Sequence, residues 1–596
     1  MVLRKPRALR RADALFGTAW RAAPLLSATC VLVALASSVL SLAYPVGFRA
    51  IVDGAADHQR ERIIAGLVIV AVAFPGTWIL QLVGAALNSK LTDMANIRVG
   101  MKVGGLASAA PYLEHFERPD YLAEIDNLRE RRRTLAGAPA QTLGMLKSAI
   151  QFVGIAVLLA LVWWPLVIVP LLAAAPAWAD RMGAQVEKRS DDELADPRRL
   201  LNDLFSLAST AAPARELRTF GVTGALLDRH VKLGDTVNAR SLRSARTAAI
   251  WEAFGWVVYA AGFGVAIVLL VLRAAHGAAS PGAVVEVVSL LRRAQRQVTG
   301  ASTTAGSFAT ASATANRLLW LEDYVARTTA DGTGTVPERL TSGIRFDGVS
   351  FTYPGQDALA LHDVNLTLTA GSTVAIVGEN GAGKSTLIKL LTGMYRPDSG
   401  TITVDGQDLA SVAPRRWREA TTGAFQDYVR LNMSLGDGVG AGDLPRIEDR
   451  AAVLGAIGRG GADQVVAELP QGLDTVLGPY IGGRSLSGGQ WQRLALSRGL
   501  MRERPLLVVL DEPTASLDVP SEAALFARYR DAARALGESN GTITVLVSHR
   551  FSTVHMADTI VVMDQGKIVE IGDHETLMTA AGPYSELFAL QAAGYK

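Results

Sequence analysis

Hydrophobic positions crowd into the first half of the chain and alternate with polar ones in the second. Before about residue 305, apolar runs fall at 23–44, 63–87, 141–163, 166–180, 249–272 and 281–302. A membrane-spanning helix needs roughly 20 mostly apolar residues, and four of these runs meet that length comfortably. The third and fourth share the stretch 150–179, which is too short for two full helices. Near its middle stands Trp163-Trp164-Pro165, a helix-breaking proline beside two tryptophans of the kind that favour a membrane–water boundary. A tight hairpin is predicted there, its polar ends continuing beyond the apolar layer. After Leu321 the pattern changes: residues 327–343 are polar and rich in Gly and Thr, as in a linker. From Ile344 short β-branched runs alternate with amphipathic helical stretches, the pattern of an α/β domain. The expected architecture is an all-α, six-helix transmembrane domain (1–321), a linker (322–343) and an α/β domain (344–596).

Charge orients the spans. Arg4, Lys5, Arg7, Arg10, Arg11 and Arg21 precede the first span. Arg129, Arg131, Arg132 and Arg133 cluster between the second and third, and Lys188, Arg189, Arg198, Arg199, Arg215 and Arg218 between the fourth and fifth. The loop between spans five and six has only Arg273, and Arg49, Arg60 and Arg62 between the first two dilute the contrast without reversing it. Basic loops stay on the cytoplasmic side, so both termini and the two long connections are expected there. The first apolar run is longer than the core of a cleaved signal and reads as an anchor. The net charge of +3 and the scatter of basic residues give no patch of nucleic-acid size. A single cysteine, Cys30, excludes an internal disulfide and a multi-cysteine metal site.

Candidate chemistry lies in the second half. The strand-like run 372–377 leads into Gly378-Glu379-Asn380-Gly381-Ala382-Gly383-Lys384-Ser385, followed by Thr386 and a helical stretch. This is the phosphate-binding pattern G-x-x-x-x-G-K-[ST] of P-loop nucleoside triphosphatases, in which glycines let backbone N–H groups converge on phosphate oxygens at a helix N-terminus. Lys384 would reach the β- and γ-phosphates and Ser385 would ligate Mg²⁺. A second apolar strand, 506–510, ends in Asp511-Glu512. Asp511 could hold Mg²⁺, and Glu512 could polarise an attacking water as general base.

Between these two stands Leu486-Ser487-Gly488-Gly489-Gln490, and with it residues 344–596 resemble the ATP-binding cassette (ABC) family. The resemblance implies ATP and Mg²⁺ as ligands. It makes Tyr353 the aromatic that stacks on adenine, and Gln426 the glutamine that senses Mg²⁺ and the membrane domain. Asp518 would belong to the loop that crosses the dimer interface, and His549 would contact the γ-phosphate. It also implies two cassettes meeting head to tail, each ATP lying between the phosphate loop of one and the Ser487–Gln490 segment of the other. A second half-transporter chain is therefore expected; a homodimer is the simplest reading, and a heterodimer with a related chain stays open.

The six spans resemble, more weakly, the exporter-type half-transporter, which implies a bacterial inner-membrane protein with its cassette in the cytoplasm. His115-Phe116-Glu117-Arg118-Pro119-Asp120-Tyr121 looks like a first coupling segment and Glu216–Gly221 like the region near a second, both expected to press near Gln426 and Tyr428. One departure concerns the stretch before the pentapeptide. Gly478-Pro479-Tyr480-Ile481-Gly482-Gly483-Arg484 has no acidic residue where such exporters usually carry one.

Cargo is read from the sixth span. At about 100° per residue, Glu286, Ser289, Arg292, Arg293, Arg296 and Gln297 share an arc of roughly 140°. Charge at bilayer depth normally faces a bundle interior or a water-filled cavity. The stripe would contact a polar or anionic part of the cargo, or else Arg293 and Arg296 would pair with Glu286, Glu252 or Asp180. Export of an amphipathic small molecule or modified peptide is the leading expectation, ahead of a lipid flippase and of an importer on the same fold. Nothing protease-like precedes the first span, so leader-peptide cleavage is not expected. No nucleic-acid partner is expected either, since a soluble cassette ATPase would not carry six spans.

Overall fold

The computed structural model describes residues 6–172, 174–329, 332, 334–478, 482–512, 519–548, 554–555 and 557–594. The chain forms two compact units: Met1–Gly105 with Asp126–Leu321, and Leu106–Ile125 with Glu322–Lys596.

The first unit is helical. Among the described residues, five helices are long and apolar enough to cross a membrane: Pro24–Ala56, Arg60–Ala109, Ala138–Val162, Trp164–Glu193 and Thr223–Ala275. The sixth predicted span is also helical, inside the 48-residue helix Pro281–Thr328. Glu286, Arg292, Arg293 and Arg296 make that segment too charged to qualify by composition. That helix runs through residues 322–328, so the stretch assigned to a linker begins as helix. The expected hairpin forms: the helix Ala138–Val162 stops where Trp163 turns extended (φ −166°, ψ 116°), and a short turn, Trp164–Val167, carries the proline. Helices outrun the bilayer here. Arg60–Ala109 has 50 residues, about 75 Å at 1.5 Å per residue, against a hydrocarbon layer of about 30 Å.

Packing in this unit follows its solvent. Leu32, Val39, Val68, Val72, Trp78, Leu161 and Val257 are exposed, as suits helices whose outer faces meet lipid. Ile155, Leu159, Leu166, Leu270, Val287, Leu290 and Leu291 form the buried seam between helices. Polar groups inside find partners between helices. The Gln151 amide donates to Ser41 at 2.8 Å, Arg49 pairs with the buried Glu286 at 3.0 Å, and Ser280 donates to Asp53 at 2.9 Å.

The second unit holds two sheets. Its strands are β1 (Gly343–Thr352), β2 (Leu359–Thr369), β3 (Thr373–Val377), β4 (Ser399–Val404), β5 (Gln407–Asp408), β6 (Thr421–Ala424), β7 (Leu507–Asp511), β8 (Ile543–Val547), β9 (Thr559–Asp564) and β10 (Lys567–Gly572). An antiparallel sheet runs β2-β1-β4-β5, and a six-stranded sheet runs β10-β9-β3-β8-β7-β6. In the latter β3 pairs in parallel with β8 and β9, and β7 in parallel with β6 and β8. β7 and β8 are buried along their whole length, which is why they are mostly apolar, broken only by Thr544 in β8 and by Asp511 at the end of β7. Phe346, Phe351, Leu361, Leu387, Leu391 and Trp417 pack between the sheets and the helix Lys384–Leu391. A separate helical core gathers Leu435, Val453, Ile457, Trp491 and Met501.

Candidate functional site: a phosphate-binding cleft

Parallel strands deliver their C-terminal ends to one edge of a sheet, where ligands of open α/β folds bind. The register sets Ile376 of β3 and Asp511 of β7 level with Val547 of β8. The loop after β3 and the carboxylates after β7 therefore meet at one edge. There lies a cleft of about 560 Å³, lined by Tyr353, Asn380, Gly381, Gly383, Lys384, Ser385, Thr386, Gln426, Asp511 and Glu512, among others.

The loop has the form a phosphate demands. Gly383 takes φ 98° and caps the helix Lys384–Leu391, so that the helix begins with its unsatisfied N–H groups facing the cleft. Gly378 takes φ 151°, and a Cβ there would stand 2.2 Å from the Met563 carbonyl. Lys384 is 7% exposed. Its ammonium donates to the carbonyls of Gly378 at 2.7 Å and Glu379 at 2.8 Å. Burial lowers its pKa, with Glu512 and Asp511 opposing. Across the cleft, burial pushes the Asp511 carboxyl up to about 6, with the Glu512 charge adding and Lys384 opposing.

Glu512 holds φ 47°, a conformation uncommon for a residue with a Cβ and one met most often at functional sites. Its backbone is fixed from two sides. Its N–H donates to the Val547 carbonyl at 3.0 Å, and its carbonyl accepts from the Gln492 amide at 3.2 Å. The Gln426 amide donates to its carboxylate at 3.0 Å. Gln426 and Glu512 are thus one hydrogen-bonded pair, which their separation of 86 residues did not announce.

The donor set fits magnesium nucleotide. No cluster of three His, Cys, Asp or Glu residues suited to a metal occurs among the described residues. Ser385, Gln426 and Asp511 instead line the cleft with oxygen ligands. One or two protein oxygens completed by phosphate and water is how Mg²⁺ is usually held.

The Ser487–Gln490 segment does not line this cleft. Ser487 accepts from the Gln490 N–H at 3.2 Å, and the Gln490 side chain accepts from the Ser487 N–H at 2.9 Å, a capping box that starts the helix Gly488–Gly499. Ser487 and Gly488 face outward, and Tyr428 donates to the Gly488 carbonyl at 3.0 Å. Asp518 and His549, like Pro479, Tyr480 and Ile481, lie outside the described residues.

The first coupling segment docks elsewhere than expected. It meets the chain just after the phosphate-loop helix, not Gln426 or Tyr428. Leu113 donates its N–H to the Met394 carbonyl at 3.0 Å, Arg418 donates to the Pro111 carbonyl at 2.7 Å, and Tyr395 donates to Glu117. Arg396 also lies over the Tyr112 ring, 4.8 Å from its centre. Met394–Arg396 follow a helix that reads as ordinary core, so their role left no signal in the sequence. Gln356, His362 and Gln565 also line the cleft unannounced; His362 lies within β2 and the other two between strands, and none belongs to a motif.

In the helical unit, Glu286 belongs to Arg49, not to the arginines of its own stripe. Arg293 is 6% exposed and lies over the Tyr44 ring, 5.1 Å from its centre. Its Nε has no hydrogen-bond partner among the described residues. Arg292 and Arg296 are exposed.

Comparison with known proteins agrees with this geometry. Residues 361–515 match the family model described as ABC transporter. An "ATP-dependent lipid A-core flippase" of Pseudomonas syringae pv. tomato is 31% identical over 430 residues, 71% of this chain and 68% of that protein. Proteins of the same name from Aromatoleum aromaticum (33% identical, 66% of this chain) and Haemophilus ducreyi (40%, 43% of this chain) are matched over 63% and 42% of their own lengths, less than two thirds. A solved structure described as a bacterial Atm1-family ABC exporter with ATP bound shares the fold, with a TM-score of 0.77 at 24% identity over 95% of this chain and 98% of that one. A multi-pass helical unit fused to a nucleotide-binding unit, with these relatives, makes this chain a member of the ABC transporter family.

Proposed function

We propose that this chain is half of an ATP-driven lipid flippase of exporter type, working as a dimer in a bacterial inner membrane with its cassette in the cytoplasm. The observation that carries the ATPase half is the convergence of Lys384, Ser385, Gln426, Asp511 and Glu512 on one cleft. Lys384 exchanges its two loop carbonyls for phosphate oxygens. Ser385 and Asp511 would hold Mg²⁺, which neutralises phosphate charge when bound. Glu512, oriented by Gln426, accepts a proton from the attacking water. Ser487–Gln490 of the partner subunit would close the site over the γ-phosphate, together with His549, the N-terminus of the helix after Ser487 supplying N–H donors.

Lipid cargo is favoured over the small molecule or modified peptide expected first. The alignment with the Pseudomonas syringae flippase covers 430 residues, more than the 253 of residues 344–596, so the likeness extends into the helical unit. That unit also holds a buried arginine over a tyrosine, with two exposed arginines on the same helix. Such a belt suits the anionic headgroup of an amphiphile. The test is reconstitution into liposomes with a fluorescent anionic lipid. ATP-dependent movement between leaflets is expected, absent in Glu512→Gln; movement of peptides or soluble amphiphiles but not of lipid overturns the cargo reading.

A further inference from the structure

Tyr353 is joined to the connection between the second and third spans by an aromatic and ionic chain. Its hydroxyl shares a 3.0 Å hydrogen bond with Thr386 of the phosphate-loop helix. Its ring meets Tyr395 edge-on, with centroids 5.6 Å apart and planes at 82°, and both rings pack on Phe351. Lys389 stands over the two tyrosines, 4.9 Å from the centre of Tyr353 and 5.7 Å from that of Tyr395, and donates to the Tyr353 hydroxyl at 3.3 Å. Tyr395, 3% exposed, donates its phenol proton to Glu117. Glu117 closes the short helical turn Glu114–Glu117, directly before the helix Pro119–Ala136.

From these contacts we infer that Tyr395 is a positioning residue that reports occupancy of the base site to the Tyr112–Tyr121 segment. This rests on Tyr353 being the residue that stacks on adenine. A base laid on Tyr353 fixes the plane of that ring, and an edge-to-face partner follows the plane it packs against. Close-packed rings shift between discrete arrangements and do not deform smoothly. The Tyr395 hydroxyl bonds Glu117, so a reset of the ring moves that bond. Coupling is reciprocal, so a pull on Glu117 from the membrane side alters the hold on the base. The phosphate-loop helix touches the same rings through Thr386 and Lys389, so the share that reads the base is the part of the response that phosphates alone do not reproduce.

Hydrogen exchange on the full-length protein in nanodiscs separates these shares. The probes are a nonhydrolysable ATP analogue and inorganic tripolyphosphate, each with Mg²⁺ and each at a concentration that protects the loop 378–385. In the unaltered protein the nucleotide slows exchange in segment 110–122 more than tripolyphosphate does. Tyr395→Phe keeps the ring and loses the bond; the response of the segment falls by at least about fivefold while nucleotide affinity stays within about twofold. Glu117→Leu, at an exposed position that does not threaten folding, gives the same loss. Glu117→Gln, which still accepts the phenol proton, restores the response. An undiminished response in Tyr395→Phe or Glu117→Leu overturns the inference, as does equal protection of the segment by tripolyphosphate. Failure of the nucleotide to protect the loop itself would overturn the nucleotide-site reading along with it.

Discussion

In the nucleotide cleft, Lys384, Asp511, Glu512 and Gln426 lie against one another at the ends of two strands and a helix. In the helical unit, Arg293 lies buried against the face of one tyrosine. The cleft collects charge that a ligand completes, and each member is already held by backbone or side-chain partners. The helical unit joins its polar groups in small matched sets, largely across helix interfaces: Gln151 with Ser41 and Gln297, Arg49 with Glu286 and Asp53. The solvent explains the difference. A water-facing edge can concentrate charge because water and phosphate share its cost, whereas a bilayer interior tolerates it only in matched or aromatic-backed positions.

Substitutions in the two regions should therefore fail differently. Glu512→Gln gives the largest effect, a fall of about 10²–10⁴-fold in ATP turnover, with ATP still bound in a filter-binding assay. Gly378→Ala comes next. The added methyl meets the Met563 carbonyl and the backbone is left-handed, so ATP affinity should drop by about tenfold or more, with a lower Tm. If the loop tolerates alanine, its glycine is not what shapes the cleft.

Arg293→Ala sharpens the contrast from the other side. Basal ATP turnover should stay within about twofold, while stimulation by anionic lipid falls several-fold, with about 0.5–2 kcal/mol of stability lost with the arginine–tyrosine contact. Equal loss of basal and stimulated rates would make Arg293 a packing residue only.

The smallest effect concerns the docked segment. Burial, opposed by a backbone bond near Tyr112, holds the His115 imidazole below its ordinary value of 6.5. The undocked state then binds the extra proton first, so this contribution to docking is full above pH 6.5 and is lost as pH falls below it. The protection factor of segment 110–122, taken against the intrinsic exchange rate at each pH, should fall as pH drops from about 7 to about 5.5. Burial raises the Glu114 carboxyl, which acts in the opposite direction at lower pH; His115→Phe isolates the histidine share by removing that part of the slope.

Much of the site was legible because phosphate chemistry constrains neighbours in sequence. Gly378 through Thr386 must be contiguous to wrap one phosphate, and Asp511-Glu512 must end a strand to reach it. The spans were legible for a similar reason, since a bilayer imposes length and apolarity on continuous segments. The sixth was read from its apolar run, although Glu286, Arg292, Arg293 and Arg296 keep it from qualifying by composition. Docking of the first coupling segment was misplaced because Leu113 and Met394 meet only through the fold.

The sequence by itself determined the two kinds of domain, the phosphate loop, the acidic strand end and the polar stripe of the sixth span. All of these are patterns that local spacing must satisfy. Only the tertiary structure decided that Gln426 holds Glu512, that Glu286 belongs to Arg49 and leaves Arg293 to Tyr44, and that Glu117 reaches Tyr395. Those pairings join residues 86 to 278 positions apart. Nothing in local spacing ties such residues together; strand register and helix packing choose which of many compatible partners come within reach.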